Sequence, residues 1–197
     1  MPTPQETFWQ GEFGNQYVDR NKEHSTINHF AKILLGNRIS ISSAIEIGAN
    51  IGINLDSLKA IYPDIETFGV EINAKAHSIL SSKHSSVLGS IYDFSPTKQY
   101  ELALSSGVMI HQSPDMLPIY YSKLYQCSSQ YIIINEYFSP YPVEVEYRGN
   151  DEKLFKRDFA KEMWEQYPDL KLVDYGFFWS KDYFTKSDDS NWFLFKK

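Results

Sequence analysis

The sequence predicts an α/β chain: a mostly parallel, doubly wound sheet of seven strands, helices on both faces, and a C-terminal antiparallel hairpin. Three observations predict it. Between residues 44 and 135, short apolar runs alternate with helical patterns over short links, the rhythm of successive βα units. Two of those runs close on a carboxylate, Glu46 and Glu71, 25 positions apart. The last third breaks the rhythm and offers two β-rich runs, 170–179 and 191–195, that suit a closing hairpin.

Each element follows from local chemistry. Residues 1–24 are polar and aromatic, with Phe8, Trp9, Phe13 and Tyr17 at spacings of one to five, and read as a short helical or irregular cap. Ser25 or Thr26 can N-cap a helix to about residue 35, where Gly36 stops it. The first strand is 44–47, and a helix over 54–61 ends near Pro63. A second strand, 67–71, precedes a helix over 74–82; a third strand is 86–91 and a fourth 101–105. Ser113 followed by Pro114 is a helix start signal, and the pattern runs to Cys127. Residues 131–135 are the most β-like run and make the fifth strand. After a Pro-interrupted loop, 139–142, a helix is expected over 151–167, and a polar link, 180–190, joins the hairpin strands.

Composition bounds the function classes. A chain of 197 residues is long enough for one well-buried core and short for two, so 1–197 reads as a single domain with 1–36 as an N-terminal cap. The net charge of −6 argues against a general nucleic-acid binder, which needs a basic face to release counterions. Cys127 stands alone, which excludes an intrachain disulfide and a Cys-based zinc site, and no metal is expected. No apolar run resembles a signal peptide or a membrane span, so a soluble cytoplasmic protein with no membrane partner is expected. Aromatics reach 16%, most of them expected in the core.

The chemistry-bearing stretch is 44–53. Glycine-spaced turns between a strand and a helix let backbone approach a nucleoside cofactor closely. A dinucleotide fingerprint needs Gly-x-Gly-x-x-Gly, but here Gly48 is followed by Asn50 and Ile53 where the other glycines belong. Glu46, Gly48 and Gly52 instead make acidic-x-Gly-x-x-x-Gly, which resembles the first motif of class I S-adenosylmethionine (SAM)-dependent methyltransferases. Asn50 takes the place of that motif's central glycine, and asparagine visits positive φ more readily than most side chains. The resemblance implies that Gly48, Asn50 and Gly52 shape the methionine side of a pocket, with Glu46 organising the ammonium end. It implies that Glu71, with Ile72 beside it, holds the ribose, and that Asp93 and Phe94 hold the adenine. Asp93 also reads as a turn residue before Ser95-Pro96.

His111 lies between the fourth strand and the helix that follows, on the edge where ligands sit, and an imidazole can take an acceptor proton near neutral pH. A histidine hydrogen-bonded to loop backbone carries equal weight there. His77 and His84 are assigned to the surface. On the expected 151–167 helix, Lys153, Lys156, Arg157 and Lys161 share one face and Phe155, Phe159 and Met163 another. Such a face is usually solvated charge. With Tyr147 and Arg148 just before it, the cluster also suits an anionic acceptor.

Across nearly its full length the chain resembles the pseudaminic acid biosynthesis-associated methylases, in residues 7–21, 46–54, 68–73, 107–111, 147–149, 154–160, 174–179 and 191–193. The resemblance implies a Rossmann-like class I fold, SAM as donor with S-adenosyl-L-homocysteine (SAH) as product, and a place in bacterial surface-polysaccharide biosynthesis. It implies methylation of a hydroxyl, or as second choice an amine, of an acidic or nucleotide-activated sugar. His111 is then the base, and Tyr147, Arg148, Lys156 and Arg157 bind the acceptor. Trp9, Tyr17 and Arg20 of the cap are expected at the cofactor mouth. Two alternatives remain: a non-catalytic SAM-binding regulatory or scaffold protein of the same pathway, and an NAD-dependent sugar oxidoreductase, against which the absent second glycine counts.

Overall fold

The structure, a computed structural model, describes residues 1–20, 24–185 and 187–197. Residues 21–23 of the expected cap, the last residue of the 7–21 stretch among them, and residue 186 of the polar link lie outside the described residues.

The N-terminus forms two short helices. In α1 (Pro4–Gln10), Thr3 and Glu6 close a reciprocal capping box, which satisfies donors that a free helix start would leave orphaned. Then come α2 (Glu12–Arg20) and α3 (Ile27–Phe30), the latter running on through a π-helical turn (Ala31–Leu35). Thr26 does start α3, but its hydroxyl makes no cap bond; it donates to the Asn54 side chain (2.8 Å).

Strand β1 (Ser43–Ile47), helix α4 (Ile53–Ile61), strand β2 (Glu66–Glu71), helix α5 (Ala74–Leu80), strand β3 (Ser85–Leu88) and strand β4 (Tyr100–Ser106) follow as expected within a few residues. Ser113 starts a 3-10 turn (Pro114–Met116) rather than an α-helix and makes no side-chain cap; α6 (Leu117–Cys127) begins one turn later and leads into β5 (Ser128–Glu136).

The region 143–167 differs from expectation. It contains a hairpin, β6 (Val143–Tyr147) and β7 (Asn150–Lys156), and only then helix α7 (Phe159–Gln166). Arg148 (φ 51°) and Gly149 (φ 79°) are both left-handed, which two-residue turns joining twisted strands require. Val143, Val145 and Tyr147 alternate with glutamates, a period-two signal that the lysine spacing masked. Lys153 and Lys156 therefore stand on a strand, so the expected cationic helix face does not exist.

β8 (Lys171–Phe178) and β9 (Ser190–Lys196) complete a seven-stranded sheet of order β3-β2-β1-β4-β5-β9-β8, with β9 antiparallel to both neighbours. The central strands are apolar on both faces. Ile45, Ala103, Ile132 and Ile134 pack under α6 and α7, while Ala44, Leu102, Leu104 and Ile133 pack under α3 and α4. Two covered faces explain why these strands read as continuous apolar runs.

Candidate functional site

The strand order reverses between β1 and β4, and in open α/β sheets ligands bind beyond the carboxyl ends at that point. A cavity of about 950 Å³ lies there, a size that suits a small-molecule site. Strand ends supply its floor: Glu46 from β1, Glu71 from β2, Ser106 from β4 and Glu136 from β5. Because β9 runs the opposite way, its first residue, Ser190, reaches the same edge. Gln5 and Trp9 of α1, Tyr17 of α2, and Tyr147 and Arg148 of the hairpin turn line it from the opposite side.

The glycine loop is shaped by its neighbours. Gly48 sits at φ 73°, and a Cβ there would meet Val108 Cγ2 at 2.6 Å, so only glycine fits. Asn50 also takes positive φ (48°), and its buried Oδ1 has no partner. Gly52 (φ 87°) begins α4 and faces Leu80 and His84; it serves loop packing and does not line the cavity.

Glu46 is 1% exposed. Its Oε1 accepts from Asn54 Nδ2 (2.5 Å), while Oε2 lies buried and unpaired. Burial pushes its carboxyl up to about 8; the Asn54 bond opposes this and the charge of Glu71 adds to it. Glu71 accepts from the backbone N–H of Asn50 (2.7 Å) and of Asn73 (2.6 Å), so one carboxylate grips both the glycine loop and the turn after β2. Burial raises its pKa against those bonds and a further one from the Ile72 backbone N–H, and the carboxylate keeps acceptor capacity for a ligand hydroxyl.

Glu136 is a third acid closing a strand. Its Oε1 accepts from Ser105 Oγ (3.2 Å) and from the backbone N–H of Val108 and Met109 (3.0 Å each). It thereby pins the turn that carries His111, and burial moves its pKa up to about 7. His111 Nδ1 lies 2.6 Å from the Lys153 carbonyl. A carbonyl only accepts, so the proton sits on Nδ1 and Nε2 carries the lone pair. The ring packs between Trp9 (4.7 Å) and Tyr147 (4.8 Å), and burial lowers its pKa to about 4.

Of the expected site residues, Glu46, Gly48, Asn50, Glu71, Ile72, Trp9, Tyr17, His111, Tyr147 and Arg148 line the one cavity. Six do not. Besides Gly52, Asp93 is exposed and Phe94 turns inward to stack on Phe68; the loop after β3 meets the cavity through Ser90, Ile91 and Tyr92. Arg20 is exposed and lies over the Phe13 ring, 5.4 Å from its centre. Arg157 is paired with Glu162 (2.7 Å), and the Lys156 ammonium lies over the Tyr137 ring. His84, expected at the surface, is buried between Thr67 Oγ1 (2.9 Å) and Asp56 Oδ1 (3.0 Å). His77 is half-buried beside Ser86.

Sequence reasoning missed Gln5, Asn54, Tyr92 and Glu136. Glu136 had a signal, since it ends its strand on an acid as Glu46 and Glu71 do. Gln5 had a weaker one, its place one helical turn before Trp9.

No family model matches the chain, and no curated protein matches it. Solved structures do. The chain is similar to magnesium protoporphyrin IX methyltransferase from Synechocystis PCC 6803 with bound SAM, at 10% identity over 100% of this chain and 98% of that one, with a TM-score of 0.71. It is similar to 1,6-didemethyltoxoflavin-N1-methyltransferase from Burkholderia thailandensis, with bound S-adenosylhomocysteine, at 13% identity over 100% and 91%, TM-score 0.73. A SAM-dependent methyltransferase from Archaeoglobus fulgidus matches at 15% identity over 94% and 100%, TM-score 0.67. The fold is therefore the Rossmann-like fold of class I SAM-dependent methyltransferases.

Proposed function

We propose that this chain is a SAM-dependent methyltransferase. The observation that carries the proposal is the carboxylate pair of Glu46 and Glu71, buried at adjacent strand ends, with Glu46 Oε2 unpaired at the cavity. An unpaired buried acceptor is costly, by about 1–3 kcal/mol or more for a charged group, and a ligand cation relieves that cost. The residues fit the cofactor: Glu46 for its ammonium, Gly48 and Asn50 for the methionine portion, Glu71 for the ribose hydroxyls, and Ile72 with Ser90–Tyr92 around the base. Trp9 and Tyr17 cover the pocket. SAM supplies, when bound, an electrophilic methyl group on a sulfonium.

The chain's own contribution is largely alignment of the acceptor. The Lys153 carbonyl fixes the tautomer of His111, whose Nε2 takes the proton of an acceptor hydroxyl. Glu136 holds the turn that carries that imidazole.

The acceptor we propose is a hydroxyl of an acidic or nucleotide-activated sugar, in surface-polysaccharide biosynthesis of the pseudaminic acid-associated kind. The residue resemblance supports this, and so does the cavity's β5–β9 side. Asn135, Tyr137, Ser180, Asp182, Asp188 and Ser190 line it, a set of hydroxyl, amide and carboxylate groups suited to a polyol. Of the four residues expected to bind the acceptor, Tyr147 and Arg148 retain that role. Arg148→Ala is expected to raise the acceptor KM several-fold and leave SAM affinity unchanged, because it removes uniform binding; steady-state kinetics and calorimetry on the same preparation check both halves.

Mass spectrometry of the organism's surface sugars with and without the gene tests the assignment. Loss of one methyl group from a sugar supports it. Unchanged sugars, from a protein that binds SAM, favour the non-catalytic reading.

A further inference from the structure

Among the described residues, five buried side-chain polar atoms lack a hydrogen-bond partner, and four of them belong to residues that line the cavity. They fall into two pairs. Glu46 Oε2 and Asn50 Oδ1 belong to the glycine loop. Gln5 Oε1 and Trp9 Nε1 belong to α1, one helical turn apart and so on one helix face.

The α1 pair is an acceptor and a donor held in fixed orientation. Gln5 is 6% exposed, and its Nε2 donates to the Glu152 carbonyl of β7 (3.2 Å), which leaves Oε1 as the amide's free end. The Trp9 indole is wedged edge-to-face against Phe13 and Tyr17 and packs on His111. Glu6, between them, is committed to the capping box. The first turn of α1 lies beside the loop after β3: Glu6 is close enough for its charge to bear on the Tyr92 phenol, and Gln5, Glu6, Ser90 and Tyr92 all line the cavity. Gln112 Oε1, at that end, already receives the Tyr92 hydroxyl (2.6 Å), Ser90 Oγ accepts from the Tyr92 backbone N–H (3.1 Å), and Asp93 lies outside.

We infer that the N-terminal helix reads the base of the cofactor, Gln5 Oε1 accepting from the exocyclic amine of adenine and Trp9 Nε1 donating to the adjacent ring nitrogen. The inference rests on the SAM reading above and departs from the expectation that Asp93 performs this task. Adenine presents a donor beside an acceptor along that edge, the complement of the orphaned pair. It also makes the cap part of the binding site, in addition to a cover over it.

The test compares SAH with S-inosyl-L-homocysteine, whose base edge has the reverse pattern, a carbonyl beside a ring N–H. Calorimetry on the full chain is expected to show at least about tenfold preference for SAH, since a reversed edge leaves both protein groups unpaired. Gln5→Leu is expected to weaken SAH about tenfold and to shrink the preference severalfold, leaving the part that Trp9 supplies. Trp9→Phe keeps an aromatic ring in the packing, removes only the donor, and is expected to shrink the preference in the same way. Because both ligands share all other contacts, the ratio is insensitive to general loosening of α1. A preference that survives both substitutions overturns the inference and leaves the SAM reading standing. Failure of the unaltered chain to bind either compound overturns that reading itself.

Discussion

Glu46→Leu is expected to weaken SAH binding by roughly 10²-fold or more, the scale of removing one partner from a buried, hydrogen-bonded charge pair. The carboxylate is almost fully buried at the cavity floor, and Asn54 satisfies only one of its oxygens. The ligand's ammonium is the natural partner of the other. The raised pKa adds a second signature. Burial holds the Glu46 carboxyl near 8 in the ligand-free chain, so it is largely protonated at neutral pH. Binding of a cation favours the ionised form, so the affinity rises with pH between 6 and 8 as less work is needed to remove that proton. The same shift weakens the ligand-free fold as pH rises from 4.5 toward 8, because the unfolded carboxyl gives up its proton first. Glu46→Gln reduces both dependences, leaving the part of the folding dependence that Glu71 and Glu136 contribute, and calorimetry and urea unfolding at pH 5.5 and 8 read the difference directly. A binding constant that does not change with pH in the unaltered chain contradicts the ammonium assignment.

His111→Ala is expected to lower kcat by about 10²-fold, the usual range for a lost general base, with SAM affinity little changed. Since burial lowers the imidazole pKa to about 4, Nε2 is free across the neutral range. At saturating SAM, kcat of the unaltered chain should therefore stay flat from pH 8 to about 5 and fall as the pH drops through 4. The price of that burial is a weak base, which fits a reaction whose barrier is lowered mainly by alignment. Full activity in the alanine variant would reduce His111 to a ring that packs Trp9 against Tyr147.

The sheet was legible in the sequence because its signals are local. Strands apolar on both faces, acids at their ends and glycines forced into positive φ at 48 and 52 all announce themselves within a few residues. The site was legible where it coincides with that frame, at Glu46, Gly48 and Glu71. It was not legible where residues distant in sequence meet. Gln5 acquires its meaning from Glu152, 147 positions away, and His111 from Lys153, 42 positions away. The β6–β7 hairpin was misread because lysines at helical spacing competed with a two-residue turn, and tertiary packing favoured the turn. Arg157 was misplaced for a related reason: a cation near a site is available only if no nearer carboxylate, here Glu162, takes it.

Equilibrium titration of SAH into the full chain at pH 8 tests the central claim most directly. The account predicts saturable one-to-one binding that Glu46→Leu weakens by roughly 10²-fold or more and that NAD does not displace. Absence of saturable SAH binding, or NAD occupying the cavity in its place, would contradict it.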